Sequence, residues 1–487
     1  MQLFVEPIQL AKFLPSHPFP NPPLSPPAMS RVHLTRPLRR CLWEASLVSL
    51  PLCLLAVTPA PPAAPVALAG AKAASAPMAE EEHSFLRKLY EELHAAPELS
   101  FREEKTSQRL AAELRSLGLE VTEKVGGWGV VGVLKNGPGR TVLVRTDMDA
   151  LPVREMTGLP FASKVRVKDD DGAEVPVMHA CGHDMHMACW TGTVRWFAKN
   201  KDAWKGTLVF IGQPAEEKGG GSGPMLEDGL FTRFPKPDAC VALHCSGDLP
   251  LGSFGLTEGP ATANVDSVDI TVRGIGGHGS APHTTKDPIV IAAQLIVALQ
   301  MIDSREIDPR EAVVVTVGSI HGGTKHNIIS DEVKLQLTIR TFTMDVRDKT
   351  LAAIRRISEG VARTAGVPEN LLPIIKEAER FTPVVINNPA LTQRIAVALQ
   401  ERFGPGSVRN RRATMGGEDF SRYGMTPDKI PICMFWLGTI APERVVEAET
   451  TGKLLPSLHS PFYRPEAHGS LTHGVGALTA AVQAALQ

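Results

Sequence analysis

Three short apolar runs in this 487-residue chain end in groups that carry chemistry, and this constrains the fold more than any other feature. Residues 141–144 run into Arg145-Thr146-Asp147-Met148-Asp149, residues 206–211 into Gln213-Pro214-Ala215-Glu216-Glu217, and residues 238–243 into His244. Short continuous apolar stretches read as strands buried on both faces. Open α/β sheets place their sites beyond the carboxyl ends of such strands. The expected class is therefore α/β, with Asp147, Asp149, Glu216, Glu217 and His244 gathered along one edge. Pro152 argues against a helix cap as the role of either aspartate. Adjacent carboxylates on a non-helical turn point in different directions, so one of Glu216 and Glu217 can bind a metal while the other reaches a water on it. A cation between them removes their mutual repulsion.

The stretch 178–187, Met-His-Ala-Cys-Gly-His-Asp-Met-His-Met, holds a thiol, three imidazoles and a carboxylate. Cys181 and His183 flank a glycine, and a tight turn there would aim both at one point. Thiolate plus imidazole is a ligand set for zinc or a similar borderline-soft divalent ion.

The first 78 residues differ from the rest. Prolines crowd positions 15–27, Ala and Pro dominate 56–79, and Arg36, Arg39 and Arg40 precede an apolar run at 47–57. A basic flank, a short apolar core and a small-residue exit read as a signal peptide, too short to span a bilayer. The mature protein is expected to be exported, or cytoplasmic if the leader is not a signal, and Met1 and Met29 are both possible starts. Lys+Arg 51 against Asp+Glu 52 gives a net charge of −1, which suggests no nucleic-acid partner. Cys41 and Cys53 lie in the leader, and Cys181, Cys189, Cys240, Cys245 and Cys433 form no disulfide framework.

The length suggests two or three domains. Residues 80–117 read as one helix broken at Pro97, with His94-Ala95-Ala96-Pro97-Glu98 an exposed turn, and 164–177 as a hairpin with an acidic tip at Asp169–Asp171. From Asn264 the texture changes to strand, helix, strand, strand, helix and a last strand near Leu372, with His278 and His283 in a Gly-rich loop. This makes a small α+β sandwich, and it is an insertion because catalytic-looking residues resume after it. The expected division is a leader at 1–78, a catalytic domain at 79–261 and 384–487, and an inserted lid at 262–383. Met415-Gly416-Gly417-Glu418-Asp419-Phe420 is an acidic turn, and His459 sits in a loop where its role is open.

Taken together, Arg145-Thr146-Asp147-Met148-Asp149-Ala150-Leu151-Pro152, Met178 to Asp184, Gln213 to Glu217, Gly276-Gly277-His278-Gly279-Ser280-Ala281-Pro282-His283, Asn327-Ile328-Ile329, Gly417 to Phe420 and His459-Ser460-Pro461-Phe462 resemble the M20 metallopeptidase and amidohydrolase family, on its hippurate hydrolase and N-acyl-amino-acid amidohydrolase branch. The resemblance runs from about residue 83 to the end. It implies an α/β catalytic domain on a mixed sheet and a smaller α+β lid that makes a homodimer contact. It implies metal ligands at Cys181, His183, Glu217, His244 and His459, which suit two divalent ions, zinc first and manganese, cobalt or nickel as alternatives. Glu216 matches the general base, and one of Asp147 and Asp149, with Asp149 preferred, matches a ligand-orienting aspartate. His278 matches a histidine that reaches the scissile carbonyl, often across the dimer. Asn327 and Arg340 match weaker positions for the substrate carboxylate. The implied substrate is a small N-acyl amino acid; a dipeptidase or carboxypeptidase on the same scaffold, or an inactive metal-bound binding protein, are the competing readings. Ser330 in place of a frequent proline, Cys245 after His244 and the long hairpin at 164–177 depart from the pattern and bear on substrate preference.

Overall fold

The computed structural model describes residues 78–487. The signal-like leader, both candidate start methionines, Cys41 and Cys53 lie outside the described residues.

An eight-stranded mixed sheet carries the fold, in the order Glu120–Val125, Gly129–Asn136, Gly206–Gln213, Thr141–Asp147, Ala239–Pro250, Ile432–Ile440, Phe254–Leu256, Val408–Asn410. The four strands from Gly206–Gln213 to Ile432–Ile440 are mutually parallel, and antiparallel strands flank them on both sides. Side chains alternate across the sheet, so Val142 and Val144 enter one core and Leu143 the opposite one. Both faces being covered, a strand here must be apolar almost throughout, which is why these runs stand out in the sequence. Helices Glu80–Ala95, His183–Lys199, Pro389–Phe403 and Ala467–Leu486 contribute to the first core through Leu86, Trp190, Ile395 and Leu478. Phe420, Tyr423 and Met225 close the second.

The parallel register sets the functional edge. Asp147 pairs with Gln213, Arg145 pairs with Ala242, and His244 pairs with Trp436. His244 is thus two residues past Ala242, as Asp147 is past Arg145. His244 does not end its strand, as the apolar run suggested. The strand continues to Pro250 because Ile432–Ile440 keeps pairing with it through Gly438 and Ser246.

The inserted segment forms a separate antiparallel sheet, in the order Val313–Gly322, Glu332–Thr341, Asn264–Arg273, Ile374–Glu377. Helices Pro288–Leu299 and Met344–Thr364 pack on it, and Val268, Ile270, Leu295, Leu335, Ile339 and Ile354 make its own core. Gly259–Pro260 pairs with Ile386–Asn387, so the chain enters and leaves this α+β layer side by side. Among the described residues one helical stretch, Pro288–Glu306, is long and apolar enough to cross a membrane by length and composition. Its Ile291, Ala292, Leu295 and Leu299 are buried in the lid core, while Ile289, Val290, Val297 and Met301 face outward.

The break near Pro97 separates two helices, Glu80–Ala95 and Glu104–Ser116, and is not the exposed turn expected. His94 is 1% exposed, with Nδ1 2.6 Å from Asp184 Oδ2 and Nε2 3.0 Å from Glu155 Oε1. Burial disfavours the imidazolium, but the two carboxylates outweigh it and push His94 up to about 10. A pKa raised above the unfolded value of about 6.5 gives stability that is complete below that pH and lost as pH rises through about 10. His94→Leu strands two buried carboxylates and should cost about 3–5 kcal/mol near neutrality. Urea unfolding checks this. The wild-type advantage should shrink as pH approaches 10, and equal stability at pH 7 would show that the ion triad does not hold the break.

Candidate metal centre and active site

Gly182 allows Cys181 and His183 to face one point. Its φ is +83°, and a Cβ there would lie 3.3 Å from Cys245 Cβ and 3.3 Å from the Tyr463 ring, so a side chain would be both strained and crowded. Helix His183–Lys199 starts at this turn. His459, at φ +66° in the loop before Tyr463, is held by its N–H to the Ala180 carbonyl at 2.8 Å. His459 Nε2 comes to 3.3 Å from Cys181 Sγ and 3.5 Å from Glu217 Oε2. His244 Nε2 is 3.7 Å from the same sulfur, and His183 Nε2 is 3.7 Å from Glu217 Oε1. The structure therefore brings Cys181, His183, Glu217, His244 and His459 together.

The donor set fits metal. His183 Nδ1 lies 2.7 Å from the Asp149 carbonyl and His244 Nδ1 2.8 Å from the Cys245 carbonyl, which leaves each Nε2 turned to the cluster. Tying the far nitrogen to a carbonyl is how ligating histidines are usually oriented. His183 Nε2 and Glu217 Oε1 are buried without a hydrogen-bond partner. Burial, helped by neighbouring histidines, lowers His244 and His459 below the ordinary histidine range, whereas Asp147, Asp149 and Glu217 outweigh burial at His183 and push it up to about 10. Burial and then Glu217 and Glu216 push the Cys181 thiol up, and burial with Glu418 and Glu217 pushes the Glu216 carboxyl up. So many acids in one dry place require added positive charge, and a divalent ion would let the thiol and carboxylates ionise together.

Glu216 and Glu217 ride on a short turn after strand Gly206–Gln213. Ala215 takes a left-handed conformation, φ +51°, which lets the two side chains reach different partners. Both carboxylates approach His183 Nε2, Glu217 at 3.7 Å and Glu216 at 3.9 Å; beyond that, Glu217 joins Cys181 and His459, and Glu216 joins Glu418 and Asp419. Asp149 accepts the N–H groups of both Glu216 and Glu217 at 3.0 Å and the Ser100 hydroxyl at 2.6 Å. Asp147 does other work: Oδ1 lies 2.7 Å from His186 Nδ1 and Oδ2 accepts from Arg145 at 2.7 Å. Arg145 is fully buried and also donates to Glu418 at 2.8 Å and to Gln213 at 3.2 Å.

A cavity of about 1340 Å³ opens over the cluster, lined by Cys181, Glu216, Glu217, His244 and His459 together with Arg340 and Trp436. Its other cations are committed to acids: Lys218 to Asp170, Arg380 to Glu227, Arg411 to Asp248 and Lys453 to Glu447. Among the described residues Arg340 differs, since it donates to the Met415 carbonyl at 3.0 Å and the Thr338 hydroxyl at 3.1 Å, both neutral. His278 and Asn327 do not line this cavity. His278 is exposed on a two-residue strand paired with Ile328–Ile329, its Nδ1 2.7 Å from the Ser280 hydroxyl. The acidic hairpin tip reaches the site's rim, where Asp170 pairs with Lys218 and Arg102.

Sequence reading passed over Arg145, His186, Glu103, Ser100 and Glu418 as site residues. One signal was available: Arg145 interrupts an apolar strand, and a buried arginine demands carboxylates. His186 gave none, because its roles depend on Asp147 and on the Cys245 N–H, which donates to its Nε2 at 2.7 Å.

Comparison with known proteins agrees with this geometry. The family description "Peptidase family M20/M25/M40" matches residues 143–450. Thermostable carboxypeptidase 2 of Saccharolobus solfataricus is 38% identical over 406 residues, 82% of this chain and 96% of that protein. Hippurate hydrolase of Campylobacter jejuni is 38% identical over 338 residues, covering 68% and 83% of the two chains. A Bacillus subtilis protein described as a dinuclear metal-binding peptidase of the M20 family superposes with a TM-score of 0.66 at 30% identity, over 83% of this chain and 99% of that one. The chain belongs to peptidase family M20/M25/M40 and is a hydrolase of amide bonds.

Proposed function

We propose that this protein hydrolyses the amide bond of N-acyl amino acids, releasing a carboxylic acid and the free amino acid. The observation that carries the reading is the convergence of Cys181, His183, Glu217, His244 and His459, with Glu216 Oε2 3.9 Å from His183 Nε2, under a cavity whose one cation without an acidic partner among the described residues is Arg340. In this reading Cys181, His183, Glu217, His244 and His459 hold two divalent ions, zinc by ligand softness, with manganese, cobalt or nickel also compatible. Bound metal supplies a lowered water pKa and polarisation of the scissile carbonyl.

The chain's own residues do the rest. Glu216 takes the proton of the attacking water and delivers it to the amide nitrogen as the C–N bond breaks. Its burial near Glu418 and Glu217 raises its proton affinity, which suits a group that must hold the proton between the two transfers. Asp149 orients His183 through its backbone carbonyl and the Glu216–Glu217 turn through its carboxylate. Arg340 receives the substrate's α-carboxylate. His278 acts from a partner subunit, reached by an inserted-domain homodimer that covers the apolar face of Ile289, Val290, Val297 and Met301. Export by the leader completes the reading.

A carboxypeptidase on the same scaffold is the second reading, favoured by the relative named thermostable carboxypeptidase 2. Amine release from benzoyl- and acetyl-amino acids against matched dipeptides separates the two. N-acyl substrates should be cleaved, with loss on chelation and recovery with a divalent ion. Cleavage of dipeptides alone would replace the reading. Glu216→Gln should lower kcat by about 10²–10⁴-fold with metal content intact; loss of metal would make Glu216 a ligand.

Arg340→Met removes a charge-assisted contact worth about 1.5–3 kcal/mol, so KM should rise roughly 10- to 150-fold with little change in kcat. Equal losses with N-acyl amines lacking a carboxylate would contradict the assignment. Mixing inactive Glu216→Gln with inactive His278→Ala should restore about a quarter of wild-type activity, because half of the random dimers carry one complete site. No recovery after confirmed subunit exchange would place His278 outside its partner's site.

A further inference from the structure

The motif at 94–103, His-Ala-Ala-Pro-Glu-Leu-Ser-Phe-Arg-Glu, has no part in the chemistry above, yet its last residues lie against the turn that carries Glu216. Glu103 is fully buried. Its Oε1 accepts the Ala215 N–H at 2.7 Å and the Phe101 N–H at 3.0 Å, and its Oε2 has no partner among the described residues. Both donors belong to non-glycine residues in the left-handed region, Ala215 at φ +51° and Phe101 at φ +68°. Such residues carry backbone strain on the order of 1–3 kcal/mol each and persist only when their surroundings hold them. The same arm contributes Ser100 to Asp149, and the Phe101 ring packs on Gly220, where a Cβ would lie 2.5 Å from it.

We infer that Glu103 is a positioning residue for hydrolysis: by holding the Ala215 N–H it keeps Ala215 left-handed, and so fixes where the Glu216 carboxylate sits relative to the reacting water. This rests on Glu216 being the base. Asp149 takes the next two N–H groups of the turn, so Glu103 and Asp149 hold three consecutive donors from two directions. The carboxylate is not needed as a charge. Burial and the neighbouring Asp149 push the Glu103 carboxyl up to about 8, so it is mostly neutral at pH 7 and glutamine can offer the same acceptor oxygen.

Glu103→Leu, Glu103→Gln and Glu103→Leu with Ala215→Gly test this in the full-length, metal-loaded protein. The readouts are kcat, KM, metal content and hydrogen exchange of the 214–217 amides. A displacement of the base by about 1 Å costs about 10²-fold, so Glu103→Leu should lose about that much in kcat, with KM and metal content unchanged and amide exchange accelerated. Glu103→Gln should stay near wild type. Ala215→Gly should recover much of the loss, because glycine adopts positive φ without strain. Where Glu103→Leu does not fold, Glu103→Asp, which withdraws the oxygen by one methylene, takes its place and should show the same kcat loss. Unchanged kcat in the Leu or Asp variant, a glutamine variant as impaired as leucine, or loss of metal would each overturn the role. Glu216→Gln run alongside keeps the two readings apart. A fully active Glu216→Gln removes the base assignment whatever Glu103 does, whereas an inactive one beside an unimpaired Glu103→Leu removes Glu103 alone.

Discussion

The structure depends on three buried carboxylates that catch the backbone N–H groups of one turn. Glu103 takes Ala215, Asp149 takes Glu216 and Glu217, and Asp419 takes Gly221 and Ser222. A turn leaving a buried strand would otherwise leave these donors unpaired in a dry interior, at about 1–3 kcal/mol each. Side chains from three separate segments thus satisfy donors that the short 3-10 helix Glu216–Lys218 and the start of helix Ser222–Glu227 leave without an intrahelical partner. The two adjacent glutamates keep different neighbours, Glu217 beside Cys181 and His459 and Glu216 beside Glu418 and Asp419, while both approach His183.

The same arrangement concentrates acid. Asp147, Asp149, Glu216, Glu217, Glu418 and Asp419 meet in a volume with little water, and Arg145 offsets only part of their charge. Carboxylates this close do not all ionise unless a cation joins them. The histidines and the thiol are the donors that would hold such a cation, and the Asp149 and Cys245 carbonyls fix which nitrogen His183 and His244 turn to the cluster. Arg145, Glu418 and His186 thus belong to the electrostatic frame of the site, although none is among the five donors.

The inserted segment contributes Arg340 to the cavity, on strand Glu332–Thr341, while Lys218, Arg380, Arg411 and Lys453, which share the cavity, are paired with acids. In the proposed reading, a charge without an acidic partner in the cavity that opens over the donor cluster would favour an anionic ligand. The donor cluster and this cation are carried by elements of two different hydrophobic cores and line one cavity.

What the sequence by itself determined is whatever local pattern can encode. The parallel strands were legible because burial on both faces forces continuous apolar runs. Part of the donor cluster was legible because Cys181-Gly182-His183 and Glu216-Glu217 pack chemistry into short windows, whereas His459 in its loop was legible only through the family resemblance. The inserted layer showed as a change of texture at Asn264 and as catalytic-looking residues resuming after it, whereas the short return strand Ile386–Asn387, paired with Gly259–Pro260, left no mark of its own. Tertiary structure alone decided the rest. The extent of the His244 strand came from pairing with Ile432–Ile440, a partner far along the chain. His94 looked like a surface turn because its two carboxylates, Asp184 and Glu155, are brought to it only by folding. Glu103 and Glu418 read as ordinary acids for the same reason: the N–H groups and the guanidinium they serve belong to other segments. Sequence pattern records periodicity and composition, whereas hydrogen bonds between distant segments leave no local trace.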